Sequence, residues 1–203
     1  MTKPDYISLK SWVVAGLLSV TGLVAATTFL TPSQAAASSD LRSANMSRKN
    51  YNEAMSSIDQ QIKQEESDST IRPECHTFTK THGKRAAKAV LMIHGISGCN
   101  NAYQKLADEF YSQGYNVYVP RVPKHGHTDN KRHGEISTKD IADFMKTSAQ
   151  QVSGLGDELG IVGHSGGGDM ATWLAQYGNG FFTNILLLAP FYEPAASQAP
   201  KWQ

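Results

Sequence analysis

Four short apolar runs constrain what this chain can fold into: Ala89-Val90-Leu91-Met92-Ile93, Tyr115-Asn116-Val117-Tyr118-Val119, Leu159-Gly160-Ile161-Val162 and Ile185-Leu186-Leu187-Leu188. Three of them are continuous rather than alternating, which suits strands covered on both faces. Helical patterns separate them. Tyr103, Leu106, Ala107 and Phe110 share one face, with Gly114 as a stop. Ser137 caps a second helix, with Asp140 three residues on, and Ile141, Phe144, Met145 and Val152 form its buried side. Met170, Trp173, Leu174 and Tyr177 recur along a third, which ends near Gly178. Strand, helix, strand, helix in this order predicts βαβ crossovers, hence an α/β fold with a parallel sheet and flanking helices.

Between the third run and the third helix lies Gly163-His164-Ser165-Gly166-Gly167, a Gly-x-Ser-x-Gly motif on a strand-to-helix turn. So sharp a turn leaves no room for side chains beside the serine, and it holds the hydroxyl clear of the sheet. The Gly166 amide, at the helix N-terminus, then points toward an incoming oxyanion. With 17 glycines in 203 residues the motif alone is weak, and its context has to confirm it. A second signal agrees. His94-Gly95-Ile96-Ser97-Gly98 directly follows the first run, and the Ile96 amide is the candidate second oxyanion donor. His94 reads as a structural histidine that fixes this turn rather than as a catalytic group.

Val90 to Gly98 and Gly163 to Gly167 together resemble the α/β-hydrolase superfamily, in the branch of monoacylglycerol lipases, carboxylesterases and serine aminopeptidase-like hydrolases. Gly114 to Arg121 is similar to the same branch. So is His125-Gly126, the second half of that branch's usual Gly-His-Gly turn, with Lys124 in place of the first glycine. The similarity covers roughly residues 75 to 195. It implies a serine hydrolase, carboxylesterase or lipase-like, acting through an acyl-enzyme on a small-molecule ester or lipid-like substrate. Ser165 would be the nucleophile and the amides of Ile96 and Gly166 the oxyanion hole, with no cofactor and no metal.

The family's triad runs Ser, then Asp or Glu, then His along the chain. Here all seven histidines (76, 82, 94, 125, 127, 133 and 164) precede Ser165, and the only acidic residues after it are Asp169 and Glu193. Asp169 reads as a surface residue of the third helix, and Glu193 is a minor candidate for the acid. The expectation is therefore an incomplete α/β-hydrolase fold that stops before its acid and base. The alternative is a non-catalytic protein, a truncated hydrolase or pseudo-enzyme that keeps only the cleft. The fourth run would form an uncovered sheet edge, which predicts poor solubility. His125, His127 and His133, with Asp129, could also suggest a metal; a solvated loop is the preferred reading.

The N-terminus differs from the rest. Lys3 and Lys10 precede an apolar stretch from Trp12 to Leu30, followed by Ala35-Ala36-Ala37-Ser38, the pattern of a secretory signal. Its length also suits an uncleaved anchor. Either way the chain is expected to be exported, periplasmic or extracellular, with membrane association through residues 12–30 if the segment is kept. In an oxidising compartment Cys75 and Cys99 can close into a disulfide, against the alternative of two free thiols. Residues 38–74 read as a polar linker with a surface helix, whose thin apolar stripe is Met46, Tyr51, Met55, Ile58 and Ile62; the hydrolase part runs over 75–203. A net charge of +1 gives no reason to expect nucleic acid.

Overall fold

The structure, a computed structural model, describes residues 46–192. The proposed signal or anchor over residues 1–37 and the candidate acid Glu193 lie outside them. Among the described residues no helix is long and apolar enough to cross a membrane.

All four apolar runs are strands. They form β2 (Ala86–Ile93), β3 (Asn116–Val119), β4 (Gly156–His164) and β5 (Asn184–Leu188). A fifth strand, β1 (Phe78–Lys80), pairs antiparallel on the outer side of β3. Its three residues carry no periodicity to read, so the purely parallel sheet expected from the sequence is in fact mixed. The strand order is β1-β3-β2-β4-β5, and the last three junctions are parallel.

Strand alternation divides the core into two layers. Ala89, Leu91 and Ile93 of β2 join Leu159 and Ile161 of β4 on one face. Val90 and Met92 join Val117, Val119 and Val162 on the other. The first face is covered by helices α1 (Tyr51–Ser67), α3 (Thr138–Leu155) and α4 (Gly166–Tyr177), and the second by α2 (Gln104–Ser112). Burial on both sides is why the runs of β2 and β4 are continuous in the sequence.

The helix boundaries follow the expected punctuation. Ser137 and Asp140 form a capping box on α3, and Gly114 takes a left-handed φ of 87° after α2. Gly178 does not; the positive φ values after α4 fall at Asn179 and Gly180.

Within the 38–74 segment, which reads from the sequence as a polar linker with a surface helix, residues 51–67 differ from that reading. They form a helix, capped by Asn50 and Glu53, but its apolar stripe enters the core. Ala54 and Ile58 are fully buried, and Met46, Tyr51, Met55 and Ile62 pack around them. Gly154 of α3 permits the contact, because a Cβ there would stand 2.5 Å from Ala54 Cβ and from the Asn50 carbonyl. Glu65, near the end of α1, is buried too. It accepts from Thr77 N and Oγ1 at 2.6 and 2.9 Å and pairs with Arg121 at 3.4 Å.

Among the described residues β5 borders only β4, and Ile185 and Leu186 remain 44% and 45% exposed. Cys75 and Cys99 are joined in a disulfide, as favoured from the sequence.

Candidate active site

Parallel strands deliver their C-terminal ends to one edge of the sheet, and the connections from them build the site there. Ser165 follows β4 and precedes α4. Its φ of 53° and ψ of −126° put a residue with a side chain in a region that favours glycine. Such strain persists only where the surroundings over-determine it.

Here the surroundings are tight. A Cβ on Gly163 would collide with the Gly167 carbonyl, and one on Gly167 with the Ile93 carbonyl. The turn is also braced from β5: the Ser165 N–H donates to the Leu188 carbonyl at 3.0 Å. The Ser165 carbonyl accepts from Gly168 N at 2.7 Å and Phe191 N at 3.3 Å. Nothing in the sequence points to this second brace, since it depends on a loop whose backbone turns at Ala189 with φ 45°.

The turn after β2 approaches the serine closely. A Cβ on Gly95 would stand 3.0 Å from Ser165 Cβ. Ile96 lies over Gly166: its Cγ1 is 2.6 Å, and its backbone nitrogen 3.8 Å, from where a Cβ on Gly166 would be. The structure thus brings Ser165, Ile96 and Gly166 together. Neither the Ile96 nor the Gly166 N–H donates to a backbone carbonyl of a described residue outside its own helix.

His94 sets the direction of this turn. Its Nε2 accepts from the Val122 N–H at 3.0 Å, so the ring proton is on Nδ1, which donates to the Gly95 carbonyl at 2.9 Å. Burial lowers the pKa of this ring to about 4 and keeps it neutral. Gly98 N adds a second donor to the Gly95 carbonyl at 3.4 Å. In a trans peptide the N–H opposes the C=O, so the Ile96 N–H is turned away from His94. The structural role read for His94 therefore has a specific geometry.

Two readings of the sequence need correction. The histidine loop after β3 is not solvated: His125 and His127 are buried, His133 stacks on His125 with ring centroids 4.3 Å apart, and His125 meets His94 edge-on at 5.5 Å. Burial lowers the pKa of His125, and His127 Nδ1 faces Thr70 Oγ1 at 2.9 Å. Among the described residues no group of three such side chains is placed to hold a metal. Asp169, read as a surface residue, is half-buried with Oδ1 enclosed, and burial raises its pKa. Lys124, which replaces a glycine of the related turn, takes a left-handed φ of 64°.

No described histidine hydrogen-bonds the Ser165 hydroxyl; His164 is exposed beside it, and its ring lines a cleft of about 340 Å³ with Tyr103, Leu106 and Leu188.

The sequence profile of the family described as serine aminopeptidase, S33, matches residues 84–203, more than half of the chain. No curated protein matches. A solved structure from work on LipS and LipT, two metagenome-derived lipolytic enzymes, shares 25% identity with a TM-score of 0.52. That match covers 58% of this chain and 46% of the other. The monoacylglycerol lipase of Paleococcus ferrophilus shares 21% identity with a TM-score of 0.50, covering 62% of this chain and 47% of its own, and supports the fold alone. The chain spans about half the length of these structures.

Proposed function

We propose that this chain, which belongs to the serine aminopeptidase, S33, family, is an esterase- or lipase-type hydrolase in which Ser165 is the nucleophile. The observation that carries this reading is the strained backbone of Ser165, held by β5 and by the close approaches at Gly95, Gly163, Gly166 and Gly167, next to the Gly95–Ile96 turn. Strain of that kind, paid for by so many contacts, marks a position kept for chemistry.

In the proposed reaction the Ser165 oxygen attacks an ester carbonyl. The N–H groups of Ile96 and Gly166 take the charge that develops on the carbonyl oxygen, as fixed dipoles that need no reorganisation. The alkoxide leaves with a proton, and water then hydrolyses the acyl-enzyme. A serine hydroxyl at its free pKa is a weak nucleophile, so a base must accept its proton. His94 is committed to Val122 and Gly95, and no other described histidine bonds the hydroxyl. The reading therefore requires a base and an orienting acid from outside the described residues. Ile96 and Phe191, exposed by 49% and 41% beside Ser165, favour an ester with an apolar group.

A direct test is a panel of p-nitrophenyl esters from acetate to decanoate, with mass spectrometry of the quenched protein. Turnover with an acyl adduct on the peptide carrying Ser165, absent in Ser165→Ala, supports the reading. Turnover unchanged in Ser165→Ala overturns it. The hydroxyl without a described partner favours a second reading, a non-catalytic protein that retains the cleft; binding of the esters without any turnover or adduct would select it.

We also propose that the chain is exported. The Cys75–Cys99 bond supports this, because such bonds persist in oxidising compartments. N-terminal sequencing of the mature protein tests it: a start near Ser38 is expected, and an intact Met1 in a soluble cytosolic fraction would contradict it.

A further inference from the structure

We propose that the Cys75–Cys99 disulfide is a positioning device for the Gly95–Ile96 turn, fixing the oxyanion donor from the C-terminal end of the turn as His94 does from its N-terminal end. This rests on the hydrolase reading for its meaning in catalysis, but its structural content stands apart. Cys99 immediately follows Gly98, whose N–H closes the turn on the Gly95 carbonyl. Beyond Cys99 the chain enters a 3-10 turn over Asn100–Tyr103 and then α2. The oxyanion turn thus has two ends. One is β2, held in the middle of the sheet; the other is Cys99.

What holds Cys99 is distant in sequence. Cys75 lies 24 residues earlier, in a 3-10 turn over Pro73–Cys75 whose Cys75 N–H donates to the Arg72 carbonyl at 2.8 Å. Both cysteines are buried. Gly126 packs directly on the bridge, since a Cβ there would lie 2.6 Å from Cys75 Cβ. Next to the bridge, the fully buried Asn100 donates Nδ2 to the carbonyls of His76 at 2.5 Å and Val119 at 3.2 Å. These contacts join the far end of the turn to the 72–77 segment, to the end of β3 and to the 125–127 loop.

The consequence concerns alignment rather than binding. An oxyanion donor works only when its N–H meets the position the oxygen will take, and a misplacement of about 1 Å can cost 10²-fold in rate. Loss of the bridge leaves the turn anchored at β2 and by His94, with its far end held only through the hydrogen bonds of Asn100. The sheet keeps its core, because neither cysteine belongs to either apolar layer.

The test uses the full chain and a Cys75→Ala/Cys99→Ala variant, with three readouts. Hydrogen exchange by mass spectrometry should rise about tenfold in peptides spanning residues 94–103 and stay unchanged in those from β4. The rate of Ser165 acylation should fall about tenfold to a hundredfold, with KM for a p-nitrophenyl ester unchanged. Far-UV circular dichroism should keep its native form. Equal exchange over 94–103 and an equal acylation rate would overturn the proposal. If the variant does not fold, the native protein is treated with a phosphine reductant below its melting temperature and the same peptides are followed, with the same two outcomes. An oxidised wild-type chain that never acylates would end the hydrolase reading while the exchange result still decides the tether.

Discussion

His94 joins the loops that follow β2 and β3, beyond the last paired residues of those strands: its Nε2 takes the Val122 N–H at 3.0 Å and its Nδ1–H reaches the Gly95 carbonyl at 2.9 Å. One ring therefore fixes the loop after β3 and the peptide that carries the Ile96 N–H. In His94→Ala a buried Val122 N–H loses its acceptor, at a cost of about 1–3 kcal/mol. The Gly95–Ile96 peptide is also freed to rotate. Losing one oxyanion donor costs about 10²–10³ in rate, and the acylation rate of Ser165 is expected to drop toward that range. Denaturant unfolding and stopped-flow kinetics measure the two effects; a rate within twofold of wild type would refute the positioning role.

The same ring gives the stability a pH dependence of defined sign. Burial lowers its pKa from 6.5 to about 4 in the folded chain. Above 6.5 neither state is protonated there and the contribution is complete. Between 6.5 and about 4 the unfolded chain binds a proton that the folded one refuses, so stability falls as pH falls, by about 3 kcal/mol over the window. His125, lowered by burial too, acts with the same sign. Urea midpoints from pH 7.5 to pH 4 should decline, and the decline should be shallower in His94→Gln. An identical slope in that variant would rule His94 out as a source.

Glu65 ties α1 to the outer edge of the sheet through Arg121 and Thr77. Arg121→Met keeps the bulk of the side chain but leaves a buried carboxylate without its cation, at a cost of about 3 kcal/mol. Adding Glu65→Gln should recover part of this, and a double-mutant cycle measures the coupling. Additive losses would show that the pair does not act as a unit.

Among the described residues β5 leaves a row of backbone groups and two large aliphatic side chains, Ile185 and Leu186, at the sheet's border. Charge on such an edge blocks strand addition from another molecule. Leu186→Lys should raise the concentration at which light scattering begins and change the melting temperature little. Scattering that sets in at the same concentration would place the association surface elsewhere.

The elements most legible in the sequence were those whose pattern is local. The four apolar runs, the Ser137–Asp140 cap and the glycine-framed serine all follow from neighbours along the chain. The burial of α1 was not legible, because its stripe is thin and its reception depends on Gly154, about 100 residues away. β1 is too short to show alternation. The buried histidine loop looks polar in sequence, and its burial is tolerated through contacts the sequence does not show: the stacking of His133 on His125, the bond of His125 to the Pro123 carbonyl and the Thr70–His127 contact. At the site, the identities of Ser165, Ile96 and Gly166 came from motif and spacing. The braces on them, Leu188, Phe191, Val122 and the Cys75–Cys99 bond, are long-range contacts that no motif announces.

If the hydroxyl at 165 is a nucleophile served by the Ile96 and Gly166 amides, it should react with a serine-directed phosphonylating probe in the folded protein and not in the unfolded one. The most direct measurement is treatment of the folded protein with a fluorophosphonate, followed by peptide mapping. One phosphonyl adduct is expected, on the peptide that carries Ser165, absent after heat unfolding and absent in Ser165→Ala. No adduct on the native protein, or the same adduct yield in Ser165→Ala, would contradict it.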